Sequence, residues 1–264
     1  MSAVTRHHAV VTGPPGARPM VFVHGFGCDQ SMWRLVAPTF EATHRVVLLD
    51  LVGCGGSDLS AYDPARYDRL EQHAADVIEL CRELGLEHAV LVGHSVSAMI
   101  AVLAQIEAPD LFDQLVLVCP SARYLDDGDY VGGFSSADIA DLLELMDSNH
   151  LGWQEPVSAM VMGPGRPELQ HELEASFCRT RPDIARHFAG VTFLGDNRAD
   201  LPRVTAPTLV LQNLEDSIAP VSAGEHVRDA IPSATYVVID AAGHCPHLSA
   251  PAATIAAIEA FVRS

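Results

Sequence analysis

The chain has 264 residues, 48% of them hydrophobic, and a formal net charge of -18. This length and apolar content suit one domain, with or without an insertion, around a packed core, and the acidic balance argues against nucleic acid or anionic membrane surfaces as partners. No apolar run approaches the roughly 18 residues needed to cross a bilayer, and MSAVTRHHAVVTGPPG lacks the features of a secretory signal, so a cytoplasmic protein without membrane contact is expected.

In chain order, His7 and His8 read as tail residues and GPPGARP, at 13–19, as a turn. Six short apolar runs follow: Met20 to Val23, Val46 to Leu49, Ala89 to Val92, Leu115 to Val118, Thr208 to Leu211 and Tyr236 to Ile239. Each is rich in β-branched residues, as buried parallel strands are. Helix patterns separate them, most clearly from Leu70 to Leu84, where Leu70, Ala74, Val77, Ile78, Cys81 and Leu84 share one face. Strands alternating with helices predict βαβ units and a mostly parallel sheet covered on both faces.

Between Ser121 and about Arg203 the alternation stops. No strand pattern appears there, but helical patterns run over Ala137 to Asn149, Glu168 to Cys178 and Pro182 to Phe188, with Ser135 and Asp138 as a helix-start pair. The expected organisation is a core over 1–122, a helical cap or lid over 123–202, and the rest of the core over 203–264.

GHSVSAMI, at 93–100, places Ser95 where a predicted strand turns sharply into a helix. Ligands of open α/β sheets bind at such strand ends. A turn this tight needs small neighbours, which Gly93 and Ser97 supply; the general motif is G-x-S-x-G, and here its last glycine is serine. A serine hydroxyl needs a base, and the base an orienting acid. Asp216 and His244 follow the last two predicted strands, in NLEDSIAP and DAAGHCPH, giving the chain order Ser, Asp, His. The backbone N–H groups of Val96 and Phe26, the latter in the loop His24-Gly25-Phe26-Gly27, are the expected oxyanion donors.

Plainer readings compete. Ser95 would also serve as a helix cap. Glu215 and Asp200 are alternative acids; His247 shares the loop of His244 and reads as a structural hydrogen-bonder, while His24 and His94 read as packing residues around the site. The glycines of GCGGSD after Asp50 lack a phosphate-loop lysine and form a strand-exit loop. Six scattered cysteines, at 28, 54, 81, 119, 178 and 245, show no zinc spacing, so reduced thiols and no metal are expected. The mechanism calls for no cofactor.

GFGCDQSMWRLVAP, GHSVSAMI, the GGF at 132–134 and GHCPHLS together resemble a narrow group of α/β-hydrolases, which includes the bacterial stress regulator RsbQ and the plant karrikin and strigolactone receptors. The resemblance runs from about Met20 to Phe261. It implies the α/β-hydrolase fold with a V-shaped cap of four helices, and Ser95, Asp216 and His244 as a catalytic triad. It further implies a deep apolar pocket lined or bordered by Phe26, His94, Phe134, Leu142, Trp153, Val157, Phe177, Phe193 and Ile218. The implied substrate is a small hydrophobic ester or butenolide-type lactone, and the implied partner a phosphatase-type regulator. Two rival functions use the same residues: a receptor with slow or vestigial hydrolysis, and a hydrolase of carbon–carbon bonds in ring-cleavage products. A monomer is expected.

Overall fold

The computed structural model describes residues 1–148, 152–177 and 180–263. The chain begins with α1 (Ala3–Arg6), β1 (Val10–Thr12), β2 (Pro19–Val23) and β3 (Arg45–Leu49). It continues through α2 (Leu70–Glu83), β4 (Ala89–His94), α3 (Val96–Glu107) and β5 (Phe112–Val118). Four helices interrupt the alternation: α4 (Ser136–Ser148), α5 (Gln154–Met162), α6 (Pro167–Phe177) and α7 (Pro182–Leu194). Then come β6 (Thr208–Glu215), α8 (Val221–Ala230), β7 (Ala234–Ala242), α9 (Pro246–Ser249) and α10 (Pro251–Val262).

The strands form one sheet in the order β1-β3-β2-β4-β5-β6-β7, parallel throughout except at β1. Its two faces follow from the two-residue period of a strand. Val21, Val23, Leu91, Leu115 and Leu117 point towards α2 and α3, whereas Met20, Phe22, Val90, Val92 and Val116 point towards Trp33 and α10. Both sets are buried, so the strands read as continuous apolar runs rather than alternating ones. α3 crosses the centre of one face, with every residue from Val96 to Gln105 buried.

The cap helices pack in two pairs, α5 on α6 and α4 on α7. They close a separate apolar cluster over the carboxyl ends of the strands. Ser135 and Asp138 do start α4: the Ser135 amide donates to Asp138 Oδ2 at 2.8 Å and the Asp138 amide to Ser135 Oγ at 3.2 Å. α5 escaped the helical pattern because QEPVSAMVM carries a proline in its first turn and little amphipathic contrast. The predicted ends of two helices, Asn149 and Cys178, lie outside the described residues.

The amino-terminal segment overturns the tail reading of His7 and His8. His7 is fully buried and its Nδ1 donates to the Asp50 carbonyl at 3.0 Å, while His8 Nδ1 lies 3.2 Å from Asp50 Oδ2. The Ala3 amide donates to Glu83 Oε2 at 2.6 Å, so α1 is tied to the end of α2. Three residues of β1 then extend the sheet edge antiparallel to β3. A strand this short and exposed carries no periodic signal. Among the described residues no helix is long and apolar enough to cross a membrane.

Candidate active site

β4 leads directly into α3, and Ser95 at the junction adopts φ 58° and ψ -125°. Positive φ is costly for a residue with a side chain and is sustained only by its surroundings. Here the Ser95 amide donates to the Val118 carbonyl at 2.9 Å, which fixes the turn against β5. Gly93 is required by close approach: a Cβ there would sit 2.1 Å from the Ser97 carbonyl oxygen. Ser97 fits in place of glycine because its hydroxyl donates to the buried His24 carbonyl at 2.5 Å.

His244 follows β7 on a loop whose Gly243 has φ +87° and no room for a Cβ beside the Met162 carbonyl. Its amide donates to the Val161 carbonyl at 2.7 Å, and the Ser217 hydroxyl donates to the Met160 carbonyl, also at 2.7 Å. The end of α5 thereby holds both the histidine loop and the segment after Asp216. Asp216 directly follows β6, which runs four residues beyond its predicted end.

The three side chains meet. His244 Nε2 lies 2.8 Å from Ser95 Oγ, and His244 Nδ1 lies 2.8 Å from Asp216 Oδ2 and 3.0 Å from Oδ1. All three are buried. The carboxylate also accepts from the amides of Ile218 at 2.9 Å and Ala219 at 3.0 Å, and from Gln212 Nε2 at 3.3 Å. Hydrogen bonds of this kind satisfy the buried carboxylate and fix its orientation towards the imidazole. Such an array can deprotonate the serine, orient the imidazole and stabilise its charged form.

The alternative residues fall elsewhere. Glu215 is exposed, and Asp200 accepts from Arg203 Nη1 at 2.9 Å. His247 lies within α9 itself; it is fully buried and, contrary to its reading as a hydrogen-bonder, neither ring nitrogen has a hydrogen-bond partner among the described residues. Its ring packs between Trp33, at 4.6 Å, and His94, at 4.5 Å. His94 Nε2 donates to the His244 carbonyl at 2.9 Å, and burial, then His247 and His244, hold its pKa well below the ordinary histidine range.

The two expected oxyanion donors flank the serine. Val96 is the first residue of α3, where an amide has no intrahelical acceptor. Phe26 sits in the loop after β2, which approaches the serine so closely that a Cβ on Gly25 would lie 3.2 Å from Ser95 Cβ. Gly27 has φ +68° and lies against the Phe177 ring.

A narrow cavity opens above Ser95 and His244 beneath the cap. All the expected lining residues reach its wall except Phe134, which stands one ring behind, 6.1 Å from Phe193. The Phe26 ring anchors the aromatic wall, with Phe193 at 5.8 Å, Phe177 at 6.2 Å and Trp153 at 6.4 Å. Met160, Val161, Leu173, Cys28 and Cys245 also line the cavity and carried no sequence signal. The most informative unforeseen residue is Tyr124, whose hydroxyl lies 3.2 Å from Ser95 Oγ. It belongs to the segment that opens the cap, where nothing in the sequence points at the serine.

Residues 20–258 match a model described as "Alpha/beta hydrolase family". The strigolactone esterase D14 of Arabidopsis thaliana is 37% identical over 90% of this chain and 89% of its own. The karrikin insensitive 2 receptor CA of Petunia hybrida is 37% identical over 95% of this chain and 94% of its own. Among solved structures, a hydrolase from Oleispira antarctica is 37% identical and superposes with a TM-score of 0.96, over 99% of this chain and 96% of that one.

Proposed function

Because the chain belongs to the alpha/beta hydrolase family and is an esterase of that family, we propose that it cleaves a small hydrophobic ester or butenolide-type lactone through an acyl-enzyme. Ser95 attacks the carbonyl carbon. His244 takes the serine proton and passes it to the leaving oxygen, and Asp216 keeps the imidazole in the required tautomer and stabilises its charged form. The amides of Val96 and Phe26 receive the oxyanion. In the second half, His244 activates water against the acyl carbon and Ser95 is regenerated. Helices α4 to α7, within the segment 123–202, cover the reaction.

The observation that carries this reading is the continuous contact from Asp216 through His244 to Ser95, ending on an apolar cavity. The wall favours a largely apolar substrate, since a charged one would lose its hydration without a partner. A lactone or ester carbonyl needs only the two oxyanion amides. One plant relative is named a strigolactone esterase and the other a receptor, which supports ester cleavage and a link to signalling; the butenolide class rests on the resemblance. A phosphatase-type partner rests on the resemblance alone, and co-purification from the native cells tests it.

The function is tested by incubating the protein with aryl esters and butenolides and following turnover together with intact mass. The expected result is hydrolysis, with an acyl adduct on the wild type and none on Ser95→Ala. An adduct on both proteins removes the nucleophile assignment. Turnover of a vinylogous diketone with esters left untouched would favour the carbon–carbon hydrolase instead.

A further inference from the structure

Three side chains distant in sequence meet beside the serine: His94 from the end of β4, Cys245 from the loop after β7, and His247 from α9. One donor atom of each lies within 4.8 Å of the others, and all three residues are buried. His94 Nε2 is 3.9 Å from Cys245 Sγ, and the two imidazoles meet edge to face at 4.5 Å between centroids. Their hydrogen bonding is incomplete. Both nitrogens of His247 and Nδ1 of His94 lack a partner among the described residues. An unpaired buried polar group costs about 1–3 kcal/mol, and it requires an explanation where it persists.

We propose that His94, Cys245 and His247 form an inhibitory zinc site reached through the substrate cavity. Two imidazoles and a thiolate are donors that zinc takes, at about 2.0–2.1 Å for nitrogen and 2.3 Å for sulfur. Tetrahedral bonds of those lengths separate the donors by roughly 3.3–3.6 Å. The Nε2 to Sγ pair, at 3.9 Å, has to shorten by roughly 0.3–0.4 Å, and no pair by more than about 1.5 Å. His94 and Cys245 both line the cavity, which gives the ion its route and leaves a fourth position facing the substrate space.

Binding balances as Zn²⁺ plus the Cys245 thiol giving a zinc–thiolate bond and one proton. His94 coordinates through Nε2, its proton passing to Nδ1, and so gives up its bond to the His244 carbonyl. That contact fixes the backbone of the proposed base, so zinc in this site lowers turnover. The inhibition rests on the esterase reading; the binding does not.

The test titrates the metal-free full-length protein with zinc chloride by calorimetry, and separately records cobalt(II) spectra. Expected are one equivalent bound by the wild type and by Ser95→Ala, at least 10-fold weaker binding by Cys245→Ala, and a thiolate-to-cobalt charge-transfer band in the wild type. Aryl-ester turnover should fall with one equivalent of zinc and return with a chelator. Cys119→Ala is the control, because Cys119, Asp216 and His244 form a second group within 4.8 Å. No binding by the wild type, no thiolate band, unchanged affinity in Cys245→Ala or loss of affinity in Cys119→Ala overturns the site. If Cys245→Ala fails to fold, the cobalt spectrum of Cys119→Ala decides: a retained thiolate band supports the site and a lost band overturns it. A protein that binds zinc but turns over no ester contradicts the esterase reading and leaves the binding site standing.

Discussion

The Tyr124 hydroxyl and Ser95 Oγ stand 3.2 Å apart, at the opposite end of the chain of contacts from Asp216. Burial pushes the phenol pKa up, so the hydroxyl keeps its proton. While the Ser95 proton is directed at His244, the phenol donates to Oγ. It is thus placed to stabilise the serine oxygen as that oxygen loses its proton. Tyr124→Phe removes one neutral hydrogen bond, worth about 0.5–1.5 kcal/mol, and should lower kcat about 2- to 10-fold. Unchanged kcat in a folded variant would show that the phenol only fills space.

Asp216→Asn tests the acid with little change in shape. The carboxylate accepts from two amides and Gln212 while facing His244 Nδ1. An amide side chain has one acceptor oxygen for all of these donors and favours the wrong imidazole tautomer. A loss of about 10⁴-fold in kcat is expected, as in other enzymes with this arrangement. Glu215→Gln, on the exposed neighbour, should stay within about 2-fold. Equal losses in both variants would contradict the assignment of the acid.

Gly93→Ala tests the elbow itself. The new methyl would lie 2.1 Å from the Ser97 carbonyl oxygen and 2.9 Å from the Ala98 nitrogen, both backbone atoms that cannot swing away. The start of α3 has to move, carrying Ser95 with it. A loss of stability of several kcal/mol is expected, in the range of overpacked cores, together with loss of activity in any folded fraction. Thermal unfolding and serine-probe labelling read the two effects separately.

Most of the sheet was legible in the sequence because its central strands, β2, β4 and β5, are almost wholly buried and all but the exposed β1 stand out as short apolar runs. The meeting of Ser95, Asp216 and His244 was legible for the same reason, since each stands at the end of such a run. What escaped depends on tertiary contact. His7 looks like a tail residue until Asp50 is seen to accept from its ring. Tyr124 lies in a segment that folds back on itself, the Phe134 amide donating to the Tyr124 carbonyl at 3.1 Å, and no periodic pattern announces that return. α5 is helical through packing on α6 rather than through its own pattern.

Two neutral histidines make stability depend on pH. His73 is fully buried between Tyr67, at 4.8 Å, and Phe188, at 4.9 Å, and neither of its nitrogens has a partner among the described residues. Burial, then the neighbouring His7, His24 and His187, push its pKa down to about 3. Burial, then His244 and Arg34, bring His247 to about 3 as well. In the unfolded chain a histidine titrates near about 6.5, so between about 3 and 6.5 the unfolded state binds protons that the fold refuses. Their neutral burial costs nothing extra above that window, and stability falls as pH drops through it. Each group contributes a slope of up to about 1.4 kcal/mol per pH unit. Urea unfolding followed by circular dichroism at pH 7.5, 6.5, 5.5 and 4.5 should show this decline, and His73→Leu should flatten it by about one proton's worth. A slope identical in wild type and variant would mean that the ring is protonated inside the fold.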